Sequence, residues 1–249
     1  MQLEITPHRT VLYNKNGYFD LGSTECSLGN VIECLENEFP SEQYSAEWFI
    51  ITFENARTNG KAKKIYGMRE YGQALFFFNQ YNKGRDKISL SLKDVEKLRL
   101  ENNITTTYIP KNHTDINAGF VFEIKNIIEL LYSLLYYYAF YEYKLVRCEH
   151  CGRWFVTDSF KNKYCPRNST YEGYSHLHCK QAVDNIMQEI RRRKKNRRSV
   201  LENYKGTYQN DELDAFLQKF NEFNDKLKQR KSIENLQACI NWLETMKRR

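Results

Sequence analysis

Apolar positions recur along the chain with two different periods. In residues 10–13 and 17–21, short apolar runs flank Asn14-Lys15-Asn16, which predicts a β-hairpin. Residues 47–53 (EWFIITF) read as a strand, while residues 65–81 fit helix and strand equally well. Leu28, Val31, Ile32, Leu35 and Phe39 fall at helical spacing and predict a helix over 27–39. A short helix is expected over 91–100, opened by Ser91 with Asp94 three residues on. Residues 103–120, rich in Thr and Asn with Pro110 and Gly119, read as a loop or linker. Asn126 can then cap a helix running to about Tyr141, with Glu129 at its third position reaching back.

The remaining periodicity is helical. Ala182, Val183, Ile186 and Ile190 open a helix over 180–204. Leu213, Phe216, Leu217, Phe220, Phe223 and Leu227 make one stripe over 211–230. Ser232 can cap a last helix that turns Ile233, Leu236, Cys239, Ile240 and Leu243 inward, so the last two helices form a hairpin. The expected fold class is α+β. A mixed N-terminal domain (1–120) precedes a C-terminal domain (121–249) of a long core helix, a cysteine-rich segment, a basic helix and a helical hairpin.

The segment IIELLYSLLYYYAF (127–140) is apolar on nearly every side. Its 14 residues, with Glu129 inside, fall short of the ~20 that a membrane span needs, so it reads as a core helix and no membrane partner is expected. The first residues lack a basic stretch followed by an apolar one, so no secretory signal is read and a cytoplasmic location is expected. In a reducing compartment, clustered cysteines mean metal or redox chemistry rather than disulfides. Hydrophobic residues make up 41% of the 249, enough for a packed core.

Charge narrows the reading further. The net formal charge is +7, but residues 144–205 hold 15 Lys and Arg against 6 Asp and Glu, a local +9. That segment also holds four of the seven cysteines. Cys148-x2-Cys151 is followed after thirteen residues by Cys165, and after thirteen more by Cys179. A Cys-x2-Cys pair with Gly152 just behind it forms a knuckle, in which two thiolates converge while the backbone turns sharply. Cys165 and Cys179 complete a tetrahedral donor set for one zinc ion per chain, with His176 or His178 as alternatives to Cys179. Strands over 144–147 and 153–156 would flank the knuckle. Cys179 would sit in the first turn of the next helix, and together these parts describe a treble clef. Four cysteines close the coordination sphere, so the metal is expected to be structural. A thioredoxin-type redox site would need a βαβ context, which is missing. Cys26, Cys34 and Cys239 read as buried small hydrophobes and His150 as an exposed turn residue.

The run YKLVRCEHCGRWFV, the KYC that follows, and HCKQAVDNI together resemble the CGNR-type treble-clef fingers assigned to bacterial transcription regulators. Those fingers also follow a long helix, place an aromatic pair after the knuckle and continue into a basic helix. In this chain Cys179 is followed by Lys180-Gln181-Ala182 rather than Gly-Asn-Arg. The lead-in FEIKNIIELLYS makes the chain similar to an uncharacterised zinc-knuckle family of Gram-positive bacteria and their mobile elements. The resemblance covers residues 120–245. It implies a zinc-stabilised finger and, through the regulators, nucleic-acid contact or a part in phage and mobile-element conflict.

The basic run itself comprises Arg191, Arg192, Arg193, Lys194, Lys195, Arg197 and Arg198. The stripe Val183–Ile186–Ile190 would continue at 193, 194 and 197, all basic, so the helix is expected to leave the core there. Seven like charges in eight positions repel one another, and a phosphate backbone relieves that repulsion. The sequence therefore points to a non-catalytic nucleic-acid-binding protein, for DNA or RNA. Its rival is a protein-interaction scaffold with a purely structural zinc. Neither a His-Asn-His pattern, a Gly-rich phosphate loop nor Gly-x-Ser-x-Gly occurs. Enzymatic function would need an unrecognised site within residues 1–120.

Overall fold

A computed structural model describes residues 1–14, 17–38, 78, 81–101, 103–105, 108–110, 119–203 and 209–246. The strand expected over 47–53 and most of the ambiguous 65–81 stretch lie outside these residues. Helices and antiparallel sheets occur together, as the α+β reading requires.

The order of elements is β1 (Gln2–Ile5), β2 (Thr10–Asn14), β3 (Gly17–Gly22), α1 (Thr24–Glu38), β4 (Lys87–Ser89), α2 (Leu92–Glu101), β5 (Tyr108–Pro110), β6 (Phe120–Glu123), α3 (Ile127–Phe140), β7 (Lys144–Arg147), β8 (Trp154–Thr157), α4 (Cys179–Asn203), α5 (Gln209–Gln229) and α6 (Ile233–Thr245). The chain divides into two compact units. The first comprises Met1–Arg147 and Arg153–Lys163, the second Cys148–Gly152 and Tyr164–Arg249. The boundary drawn at 120/121 thus falls inside the first unit, because β6 and α3 pack into its core.

In the first unit, β1 lies at the centre of a five-stranded sheet ordered β3-β2-β1-β6-β5. Leu3 pairs with both Leu12 and Phe122, and Ile5 with Phe120. Alternate side chains point the same way along a strand, so these five residues line one buried face. Residues 108–110, expected as loop, form the edge strand β5. Pro110 ends that strand, and a proline is tolerated at a sheet edge because a missing donor there breaks no central ladder.

Helix α3 supplies the rest of this core, with Ile127, Leu130, Leu131, Leu134, Leu135 and Tyr138 all fully buried. The Asn126 side chain accepts a hydrogen bond from the Glu129 N–H at 2.9 Å, capping the helix as its sequence predicts. The Glu129 carboxylate reaches back one residue further than expected, to the Lys125 N–H at 2.7 Å. At the other end, Glu142 (φ 54°) adopts the left-handed conformation. Its N–H donates to the Ala139 carbonyl, and the Tyr143 N–H to the Tyr138 carbonyl. This is a Schellman cap with glutamate where glycine is usual, and it turns the chain directly into β7. A second sheet, β4-β7-β8, is antiparallel, with Leu145 opposite Val156 and both buried in the same core.

The second unit has its own core. Val183, Ile186 and Ile190 of α4 meet Phe216, Phe220 and Leu227 of α5 and Leu236, Ile240 and Leu243 of α6. The Ser232 side chain accepts from the Asn235 N–H and caps α6 as expected. No helix among the described residues is long and apolar enough to cross a membrane.

Candidate metal centre

Strand β7 delivers Cys148 at its end, and the chain reverses within four residues before β8. Gly152 (φ 74°) makes the reversal possible, and its N–H donates to the Cys148 carbonyl at 3.0 Å. A Cβ there would meet only the tip of Arg230, so conformation rather than space requires glycine. After Cys165 the chain folds back on itself. Asn168 and His178 form an antiparallel bridge, the Ser169 N–H donates to the Leu177 carbonyl, and the Cys179 N–H donates to the Arg167 carbonyl. That fold-back brings Cys179, the first residue of α4, beside Cys165.

The four cysteine sulfurs lie within 4.8 Å of one another. Cys151 and Cys165 Sγ are 3.6 Å apart, and Cys165 and Cys179 Sγ 3.7 Å. A tetrahedral site with metal–sulfur bonds of about 2.3 Å separates its sulfurs by about 3.8 Å. Cys148, Cys151, Cys165 and Cys179 can therefore hold a metal ion. Cys148, Cys165 and Cys179 are buried and Cys151 half-buried. The Cys165 N–H also donates to Cys148 Sγ at 3.4 Å. His176 and His178, the alternative ligands, are both exposed and outside the cluster.

Thiols packed this closely cannot all ionise unless a cation is present. Hydrogen bonds within the cluster share the few available charges. Those to Cys148 push the Cys151 and Cys179 thiols far up. Hydrogen bonds with Cys148, Cys151 and Cys179 hold Cys165 far down. Cys148 is drawn to about 7, chiefly by its hydrogen bond with Cys151. A divalent ion reverses this logic and deprotonates coordinated thiols outright.

His150 is not the exposed turn residue the sequence suggested. It is buried at 2% exposure, with Nε2 2.8 Å from Ser169 Oγ. Ser169 Oγ in turn accepts from the Tyr171 N–H. The His150 carbonyl accepts from the Ile233 N–H at the start of α6. Burial lowers the imidazole pKa. His150 thus ties the knuckle to the 165–179 fold-back and to α6. No local pattern signals this, since Ser169 lies nineteen positions away. Cys26 and Cys239 are buried away from the cluster, as expected of small hydrophobes, and the Cys34 side chain lies outside the described residues. Comparison with protein-family models, curated proteins and solved structures returns no match for this chain.

The basic run departs from its expected placement. Helix α4 does not leave the core after Ile190, since it continues to Asn203 and buries Leu201. The stripe is carried on by the stems of Arg193, Lys194 and Arg197, all half-buried. Long cationic side chains can cover apolar surface while keeping their charge near water. Lys194 Nζ sits 4.1 Å from the centre of the Phe220 ring, a cation–π contact. Arg193 Nε donates to Glu189 at 2.8 Å and its Nη1 to Glu244 at 2.7 Å. Burial raises the Glu189 pKa, but the hydrogen bonds from Arg193 and Tyr174 outweigh it and the net shift is downward. Arg191, Arg192, Lys195 and Arg198 are exposed, and Arg198 pairs with Glu202 at 2.6 Å.

Arg193 is therefore a structural cross-link between α4 and α6. Arg193→Gln should leave the metal bound and destabilise the metal-loaded second unit by about 1–2 kcal/mol, the scale of a charge-assisted hydrogen bond discounted for water access. Thermal unfolding at fixed metal concentration checks this. An unchanged midpoint would return Arg193 to the solvent-facing set.

Proposed function

We propose that this is a non-catalytic nucleic-acid-binding protein whose second unit is a zinc-stabilised treble-clef finger. Zinc suits four thiolates at tetrahedral separations, and an all-cysteine set leaves no open position for a reacting water. The zinc braces the knuckle against α4. The functional surface is the exposed side of α4, and the regulator fingers that the sequence resembles likewise continue into a basic helix. The observation that carries this reading is the exposure of Arg191, Lys195 and Arg198 at i, i+4 and i+7 on the helix that begins with Cys179. A rigid helix presenting cations in a row can follow a phosphate backbone, and such contacts position rather than specify.

The test is binding of labelled duplex DNA and of single-stranded RNA across a salt series. The wild type should bind both, with affinity falling steeply as salt rises. The triple variant R191Q/K195Q/R198Q should keep its metal. Its slope of log affinity against log salt on duplex should be flatter by about 0.9 per lost contact, at most about 2.7. Lys194 is left in place because it packs on Phe220. Absence of salt-dependent binding by the wild type at low ionic strength would overturn the proposal and make the basic helix a docking surface for an acidic protein.

A further inference from the structure

Three members of the basic run, the exposed Arg192 and the half-buried Arg193 and Arg197, line a cavity of about 410 Å³. Its lining residues are Arg192, Arg193, Asn196, Arg197 and Val200 of α4, with Leu243 and Met246 at the end of α6. That volume is within the ~300–1,000 Å³ usual for small-ligand sites. No carboxylate of the described residues lines it. Arg193 is already held by Glu189 and Glu244. The charges of Arg192 and Arg197 therefore meet no anion among the lining residues. Arg197 Nε is buried without a hydrogen-bond partner. Buried donors are almost always satisfied, and this one belongs to a residue that lines the cavity. A guanidinium presents a fork of donors that matches phosphate oxygens in pairs.

The rest of the lining describes what the phosphate is attached to. Val200, Leu243 and Met246 offer apolar surface for the face of a flat ring. An adjoining shallower hollow is lined by Asn196, Ser199, Val200 and Asn203, whose amides and hydroxyl can bond the edge of a base. Arg192, Asn196, Ser199, Val200 and Asn203 recur at helical spacing, so phosphate-binding and base-facing groups follow one side of α4. A base stacked and paired within a duplex cannot present its face and edge to such a groove, whereas an unpaired one can.

We infer that the groove between α4 and the end of α6 takes one unpaired nucleotide, with Arg192 and Arg197 on its phosphate and Val200, Leu243 and Met246 against its base. This rests on the nucleic-acid reading above and adds to it a preference for single strands. The occupied groove lies beside the outward row of Arg191, Lys195 and Arg198, so the two act on one strand.

The test compares a labelled single-stranded oligonucleotide with a blunt duplex of the same length at one salt concentration. The wild type should prefer the single strand. R192Q/R197Q should weaken single-strand binding at least tenfold and duplex binding little, which erases the preference. Val200→Asp should do the same, because it places a carboxylate in the groove at a position 54% exposed, where folding tolerates it. Metal content and the thermal midpoint confirm that both variants are folded. AMP should compete for the groove at concentrations where inorganic phosphate does not. Equal wild-type affinity for both forms, or equal losses on both in R192Q/R197Q, would overturn the inference and leave backbone binding by the outer row standing. If the wild type binds neither nucleic acid nor AMP, the proposed function fails and the inference falls with it.

Discussion

Cys148→Ser should abolish metal binding and unfold the second unit, while the first keeps its structure. The wild type should carry about one zinc per chain, as a four-ligand tetrahedral site requires. A serine hydroxyl does not ionise near neutrality and cannot replace a thiolate. The free energy of structural zinc binding is folding free energy, about 10–16 kcal/mol in small finger peptides. A whole domain is stable by only about 5–15 kcal/mol, so losing the ion removes more than the α4–α5–α6 core can replace. Chelation should have the same effect. So should acid: Cys151 and Cys179 carry protons in the metal-free cluster, metal binding expels them, and affinity falls as pH falls. Metal analysis and limited proteolysis, with new cleavage sites in 148–152 and 164–249, are the measurements. A metal-free wild type that stays folded and ignores chelators would refute the site.

The second large effect belongs to the first unit. Phe122→Ala should cost it about 3–5 kcal/mol, the usual range for deleting a buried ring. Phe122 is 1% exposed, opposite Leu3 on β1, with its ring 6.0 Å from that of Phe120 and 6.2 Å from that of Tyr136. Neighbours on a central strand and on α3 cannot collapse into the space it leaves. The variant should still bind metal, because no ligand lies in this core. Chemical unfolding followed alongside zinc content separates the two effects. A loss under about 1 kcal/mol would mean that β6 does not turn Phe122 inward.

What the sequence revealed depended on how local the deciding interaction is. Asn126 and Ser232 were readable as caps because the donor each satisfies lies three residues on. The cysteine cluster was readable because the knuckle fixes two ligands within four residues and zinc demands four. Counting apolar residues does not capture the course of α4, because it treats arginine and lysine as wholly polar. Their stems are not, and a partner ring (Phe220) or carboxylate (Glu244) on another helix decides which way they turn. Strand β5 was missed for a similar reason, since three residues ending in proline form a strand only because β6 is there to pair with. The burial of His150 depends on Ser169 and α6, neither of which its neighbours announce.

The closeness of the four ligands in the chain, against the reach of the contacts that surround them, has a consequence for synthesis. All four cysteines have been made once residue 179 leaves the ribosome, whereas the core of α4 waits for Leu236, Ile240 and Leu243. At about 5–20 residues per second the interval from 179 to 245 is roughly 3–13 s. During that time the nascent chain can already capture its ion, while Val183, Ile186 and Ile190 remain uncovered and the His150 carbonyl still lacks the Ile233 N–H. Metal supply then sets whether the emerging α4 starts from a fixed point or a loose one, and the apolar face most in need of protection is exposed after the ion can bind and before the hairpin arrives.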